Sequence, residues 1–392
     1  MSRSAQFADA VDRYVDDKRR GTADSPGAFA TNARSVLDRV VAVLEAQSDV
    51  EVVDDLDDHD LRELARFFRD VAAKEREPTI EDHGFSDGLA VATIENYWSI
   101  VRAWLEWCVR EGLLDRNPSV SRTATEPLPD AETGAETVDR QYWPRKEREQ
   151  LVRWTRARVA SAFASPIAPV DVRLQRLRED VLVQLLANSG VRAAEILSSS
   201  RDSRRDGLSW SDVRLVDDED GEDVIHVLGK DQATNDVAVP SAVRESLLRM
   251  RRELERRFDS VPEDWPVFPT RHRPTLSRKA RDQLGDDRVD ELLDELGVVE
   301  LCIRYDVDVP SLSTNGGRRV MERLCESADV DVEGEYLKPH GGRRALGREV
   351  FVEKPGAATE LLRHKDASTT KESYAEVQRK EVREVVDDLR EQ

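Results

Sequence analysis

Four stretches of this chain carry residue types that can handle a phosphate. In ANSGVRAAEIL (187–197), Gly190 is followed by Arg192 and then by Glu195. On a helix, an acid three residues along can lie beside the guanidinium and orient it. Such a pair is ordinarily a routine surface ion pair. This one sits inside an apolar run, VLVQLLANSGVRAAEIL, and a partly buried arginine is costly without a partner. Lys230 follows Gly229 in VIHVLGKDQATNDVAVP, at a hairpin turn, where a lysine is normally just solvated. In LKPHGGRRALGREVF (337–351), Pro339 opens a helix that carries His340 and Arg343 three residues apart. Exposed amides at a helix start, together with a histidine and an arginine, suit a phosphate. Finally, ELLRHKDASTTKESYAEV (360–377) separates His364 from Tyr374 by a small-polar turn, and Tyr374 opens a final helix. A lone tyrosine near a C-terminus is usually packing.

The elements that must hold these residues are legible as apolar spacing. Ala28 to Ala46 and Leu61 to Ala73 read as helices, and 93–118 is the clearest. There Thr93 can cap, Ile94, Tyr97, Trp98, Val101, Trp104, Leu105 and Cys108 share a face, and Gly112 and Asn117-Pro118 end the unit. These aromatics read as helix core. Residues 121–140 are poor in large apolar side chains and rich in Pro, Thr, Ala and acid, as in a linker. The expected organisation is a helical domain over 1–120, an acidic linker over 121–141 and a second domain over 142–392. The second domain begins with helices over Glu147 to Phe163 and Leu174 to Asn188. Three short β-branched strands, DVRLV, DVIHVLG and DVAVP, then lie between Trp210 and Pro240. Helical periodicity returns after Ser241, interrupted at the Pro-rich 261–274 and 309–311. The fold class expected is mainly α with one small antiparallel sheet.

Composition narrows the classes. The chain has 392 residues, 39% of them hydrophobic, enough for roughly two or three domains. No apolar run approaches the roughly 18 residues of a membrane span and the opening MSRSAQFADAVDRY has no apolar signal core, so neither a membrane nor a secreted protein is expected. Cys108, Cys302 and Cys325 lie too far apart for a disulfide framework or a zinc cluster, and a cytoplasmic location fits. With 60 Lys and Arg against 80 Asp and Glu, the net charge is −20, and acids run together at 54–60 and 217–223. Such a surface is that of a salt-adapted protein from a halophile, soluble through self-repulsion. Average charge alone argues against nucleic acid, but binding depends on local patches.

Taken in chain order, Arg192, Lys230, His340, Arg343, His364 and Tyr374 resemble the tyrosine recombinase (phage integrase, Xer-like) family, in a haloarchaeal form. The motifs are G-x-R-x-x-E, the hairpin G-K, H-x-x-R and H…T-T…Y. LSWSDV (208–213) is similar to the family's L-x-W-x-D segment, and T-x-x-x-Y…W…G…N-P to its helical core-binding domain. The resemblance covers about residues 90–390 and is weak before residue 30. It implies a core-binding domain that clamps DNA and a catalytic α+β domain.

The resemblance also implies roles. Arg192, Arg343 and His364 would hold the non-bridging oxygens of a phosphodiester. Tyr374 would attack phosphorus to give a 3′-phosphotyrosyl intermediate, Lys230 would protonate the leaving 5′ oxygen, His340 would assist as acid/base, and Glu195 would orient. No metal and no other cofactor is expected. Duplex DNA would be the partner, gripped by Arg201, Arg204, Arg205, Arg271, Arg273, Arg278 and Lys279. A homotetramer on two DNA sites would form by exchange of the C-terminal helix, whose Val382, Val385, Val386 and Leu389 make one stripe; packing of that stripe within its own chain is the alternative. The protein would be nucleoid-associated when DNA-bound. A type IB-like topoisomerase and a non-catalytic DNA-binding regulator derived from an integrase are the other readings. Three departures stand out: SSSRDSRRDG (198–207) resembles an insertion, DQATND replaces the usual basic residues after Lys230, and the His364–Tyr374 interval is one residue longer than the family's common pattern.

Overall fold

The computed structural model describes residues 5–20, 26–48, 50–73, 83–85, 88–129, 141–165, 167–216, 222–229, 233–258, 261–293, 295–363 and 374. The chain divides into two compact units. One comprises Met1–Asp139 with Ser200–Ser203, the other Arg140–Ser199 with Arg204–Gln392.

The first unit is helical: α1 (Phe7–Lys18), α2 (Ala28–Gln47), α3 (Asp58–Ala73), α4 (Val91–Arg110) and the short α5 (Arg122–Thr125). The expected stripe of α4 is buried, with Tyr97 only partly so, and Ile100 and Trp107 widen it. The aromatics are therefore core: Phe7 of α1 tilts onto Trp104 and Tyr14 meets Trp107 edge-on at 5.7 Å. α1 was not separately resolved by the spacing. Thr93 does not cap α4, which begins two residues earlier after Ala90. The segment expected to start the linker is folded instead. Asn117 accepts from the Ser119 amide at 3.0 Å, the Ser121 hydroxyl accepts from the Ala124 amide at 3.1 Å, and Ala124 is buried. Short capped turns need little apolar volume, so composition alone reads them as linker. Residues 130–140 lie outside the described residues.

The second unit packs helices around a small sheet. Its elements are α6 (Arg145–Ala164), α7 (Val170–Asn188), α8 (Ala193–Ile196), β1 (Val213–Arg214), β2 (Val224–Leu228), β3 (Thr234–Ala238), α9 (Ser241–Phe258), α10 (Arg273–Leu284), α11 (Asp286–Leu293), α12 (Val298–Arg304), α13 (Thr314–Ser327), α14 (Pro339–Glu353) and α15 (Pro355–Leu361). The sheet is antiparallel in the order β1-β2-β3, with Ile225 opposite both Val213 and Val237. The first strand is shorter than DVRLV because Asp212 accepts from both the amide and hydroxyl of Ser209, at 2.9 and 2.7 Å, which closes a 3-10 turn over Trp210–Asp212.

The axis of this unit is α7, buried from Leu177 to Ala187. Its buried acids are all paired. Glu179 accepts from Arg158, Arg176 and Arg323, and Asp180 accepts from Thr155 of α6 and Ser246 of α9 at 2.8 and 2.7 Å. Against α7 lies α14. A Cβ on Gly342 would overlap the Leu186 carbonyl, so glycine is what allows the two backbones to approach there. Trp143 secures the start of α14 by donating to the Lys338 carbonyl at 2.7 Å. Cys108, Cys302 and Cys325 are free and buried. Among the described residues, no helix is long and apolar enough to cross a membrane.

Candidate active site

The turn that leaves α7 delivers Arg192 as the N-cap of α8, with Glu195 in its first turn. Glu195 folds back on the cap. One carboxylate oxygen accepts the Arg192 amide at 2.7 Å, and the other accepts from its guanidinium at 2.7 Å. The Glu195 side chain is 1% exposed. A carboxylate this buried must be compensated, and a second cation completes the set: Arg363 donates to it at 2.6 Å.

Sequence reasoning missed Arg363. It lies just before His364 but belongs to none of the motifs quoted, and its partner is 168 positions away. Its backbone is also unusual, with φ 49°, in the left-handed region that costs a residue other than glycine about 1 kcal/mol or more. The buried ion pair offsets that cost and holds the chain in the turn that leads to position 364.

Arg343 is buried on α14 and bonds backbone on both sides of the site. It donates to the Gly190 carbonyl, in the turn before Arg192, and to the Leu362 carbonyl, next to Arg363. Its guanidinium is pulled down to about 9, first by burial and then by the Arg192 charge; Glu195 opposes and Arg363 adds. Two guanidiniums are thus bonded to one carboxylate, with the charge of a third beside them. The surplus positive charge is what a bound phosphate would neutralise.

Tyr374 is docked on the same helix. Its ring packs on Phe351 with centroids 5.3 Å apart, and its hydroxyl sits over Gly347, one turn beyond Arg343. The hydroxyl's bond to the Arg344 carbonyl is 3.5 Å long, at the outer limit of a hydrogen bond. Burial pushes the phenol up to about 12; Tyr142 adds to the rise, while Arg343 and Arg344 oppose it. The folded value lies above the unfolded one, near 10, so the docked phenol's contribution to stability is complete below about 10 and lost as pH rises to about 12. An ultraviolet difference titration of wild type against Tyr374→Phe should therefore show a phenol ionising near 12. A methyl on Gly347 would occupy the space of the hydroxyl. Gly347→Ala should undock the ring and bring that titration down toward about 10. An unchanged curve would mean that Tyr374 is not held at Gly347.

The structure brings together Arg192, Glu195, Arg343 and Tyr374 of the residues expected from sequence. His340 is in the first turn of α14 and exposed. Lys230 and His364 lie outside the described residues, as does the C-terminal stripe of Val382, Val385, Val386 and Leu389. Of the basic residues expected on DNA, Arg201, Arg273 and Arg278 are exposed and Arg204 is half-buried. Arg271 bonds the Asp171 carbonyl at 3.2 Å and Lys279 pairs with Asp308 at 3.2 Å. The Arg205 guanidinium is bonded to backbone carbonyls. Among the described residues, no group of three or more His, Cys, Asp or Glu is arranged to hold a metal ion.

Compared with solved structures, the chain is similar to the XerH site-specific recombinase bound to palindromic difH substrate in a post-cleavage complex. The TM-score is 0.56 at 14% identity, covering 92% of this chain and 80% of that one. It is also similar to the Tn1549 transposon integrase in complex with circular intermediate DNA, with a TM-score of 0.52 at 13% identity and 95% of each chain covered. The chain has the fold of tyrosine recombinases and integrases. No protein-family model and no curated protein matches it.

Proposed function

We propose that this chain, built on the tyrosine recombinase fold, is a site-specific DNA recombinase of the integrase type. The observation that carries the reading is the buried Glu195 holding Arg192 and Arg363, with Arg343 beside them and the Tyr374 phenol one turn along α14. This is a nucleophile next to a surplus of guanidinium charge, the combination that a phosphodiester transesterification needs.

In the proposed step the Tyr374 oxygen attacks phosphorus and the P–O5′ bond breaks. A 3′-phosphotyrosyl bond replaces it, so the number of phosphoester bonds is unchanged and neither ATP nor a redox partner enters. The phenol proton goes to a base, the role given to His340, and the 5′ oxygen takes a proton from Lys230. Arg192, Arg343 and His364 hold the non-bridging oxygens, and Glu195 orients Arg192. Rejoining runs the same step backwards with a different 5′ hydroxyl. The exposed Arg201, Arg273 and Arg278 are DNA contacts in this reading. Two sites would be held by a homotetramer through exchange of the C-terminal helix, in the cytoplasm of a salt-adapted cell.

The test is capture of covalent adducts. The protein is incubated with fragmented genomic DNA of its source in molar KCl and a chelator without ATP; denatured complexes are then recovered and their DNA ends sequenced. Adducts concentrated at one or a few sequences are expected. Adducts at random positions, with relaxation of any supercoiled plasmid, would make it a topoisomerase. Binding without adducts would make it a regulator.

A further inference from the structure

The insertion at 198–207 carries an arginine, Arg205, whose bonds connect α8 with the end of β2. The Arg205 Nη1 donates to the Ala194 carbonyl at 3.0 Å and to the Leu228 carbonyl at 2.8 Å, and its Nη2 donates to the Gly229 carbonyl at 2.6 Å. Ala194 lies between Arg192 and Glu195 on α8. Leu228 ends β2, and Gly229 is the residue before Lys230. The insertion's own backbone steadies the arginine, because its carbonyl accepts the Ser199 amide at 2.8 Å.

The strand end needs this support. β3 pairs along the whole of β2, from Val224 to Leu228, whereas β1 pairs only with Val224 and Ile225. Among the described residues, the end of β2 that leads to Lys230 therefore has a neighbouring strand on one side only. A planar guanidinium serves these three carbonyls from two nitrogens held in a rigid fork; an ammonium has three donors, but on one nitrogen at the end of a flexible stem, and cannot reproduce that geometry.

We propose that Arg205 is a positioning residue: it fixes the end of β2 to the Arg192–Glu195 helix so that Lys230 is presented to the leaving 5′ oxygen. The proposal rests on the recombinase reading above. It gives the insertion a mechanical role, distinct from the DNA contact expected of Arg205 from sequence.

The experiment compares two substrates at the scissile phosphate mapped by the adduct sequencing. One has the ordinary 5′ bridging oxygen and the other has sulfur in its place. A thiol ionises near about 8.5, so a thiolate departs without a proton and the general acid becomes dispensable. Arg205→Lys should slow adduct formation on the oxygen substrate by on the order of 10²-fold, within the range of a positioned general acid. On the sulfur substrate it should match wild type. Lys230→Ala should give the same profile, and adding Arg205→Lys to it should change nothing further. DNA affinity and its salt dependence should be those of wild type.

Equal slowing on both substrates would overturn the proposal in favour of general damage to the fold, which the thermal melting curve of the variant would register independently. A lower salt slope, by about one, with weaker binding to every duplex would identify Arg205 as a phosphate contact. If wild type itself forms no adduct on either substrate, the recombinase reading fails and this proposal with it.

Discussion

Tyr374→Phe is expected to form no covalent adduct with DNA, a loss of at least about 10⁴-fold, as for removal of a nucleophile that works as part of a unit. The same variant should be nearly as stable as wild type. The hydroxyl's one hydrogen bond among the described residues, to the Arg344 carbonyl, is 3.5 Å long, so its removal should cost no more than about 1 kcal/mol. The ring keeps its packing on Phe351. Loss of chemistry without loss of fold is the signature of a nucleophile, and a denaturing gel read beside a urea titration separates the two. If Phe at this position still gave an adduct, another residue would be the nucleophile and Tyr374 would be a core aromatic. The variant should also retain DNA binding, because the guanidiniums around Glu195 are untouched.

Glu195→Ala should have the largest effect on stability of any single change in the site. The carboxylate is 1% exposed and neutralises Arg192 and Arg363 together, so its removal leaves two partly buried cations facing each other and the Arg343 guanidinium. Breaking a buried pair in this way costs about 3–5 kcal/mol, and here the left-handed turn at Arg363 loses its anchor as well. The midpoint of urea unfolding should fall accordingly, and adduct formation should be lost even where the fold persists. Glu195→Gln should be intermediate in stability. Its amide oxygen can still accept the Arg192 amide, but it no longer carries the charge for two guanidiniums. High salt should rescue neither variant fully, because the facing cations are partly buried and weakly screened. If Glu195→Ala unfolded at the wild-type midpoint, the acid would be a bystander.

Much of the frame was legible from sequence because it rests on local periodicity. Apolar spacing in 93–118 placed the Trp98, Trp104 and Cys108 face in a core, and α4 buries it. Pro339 marked the start of α14, since a proline at the first helical position loses no hydrogen bond. Three β-branched runs marked the sheet. Element limits differ where short polar side chains act on backbone: Ser121 caps a short turn in what composition suggests is linker, and Asp212 delays β1.

The sequence by itself determined the main helices, the small sheet and the order in which the chemistry-bearing residues occur, because apolar spacing and motif order are properties of neighbouring positions. Only the tertiary structure decided how those residues meet. Arg343 bonds carbonyls at Gly190 and Leu362, Arg363 reaches Glu195, and Arg205 joins Ala194 to Leu228 and Gly229. Each of these contacts depends on a guanidinium meeting a buried acceptor brought to it by the folding of a separate segment. Backbone carbonyls are present at every position and carry no residue-type signal, so the partner of a buried arginine becomes visible only when packing excludes water from all but one place.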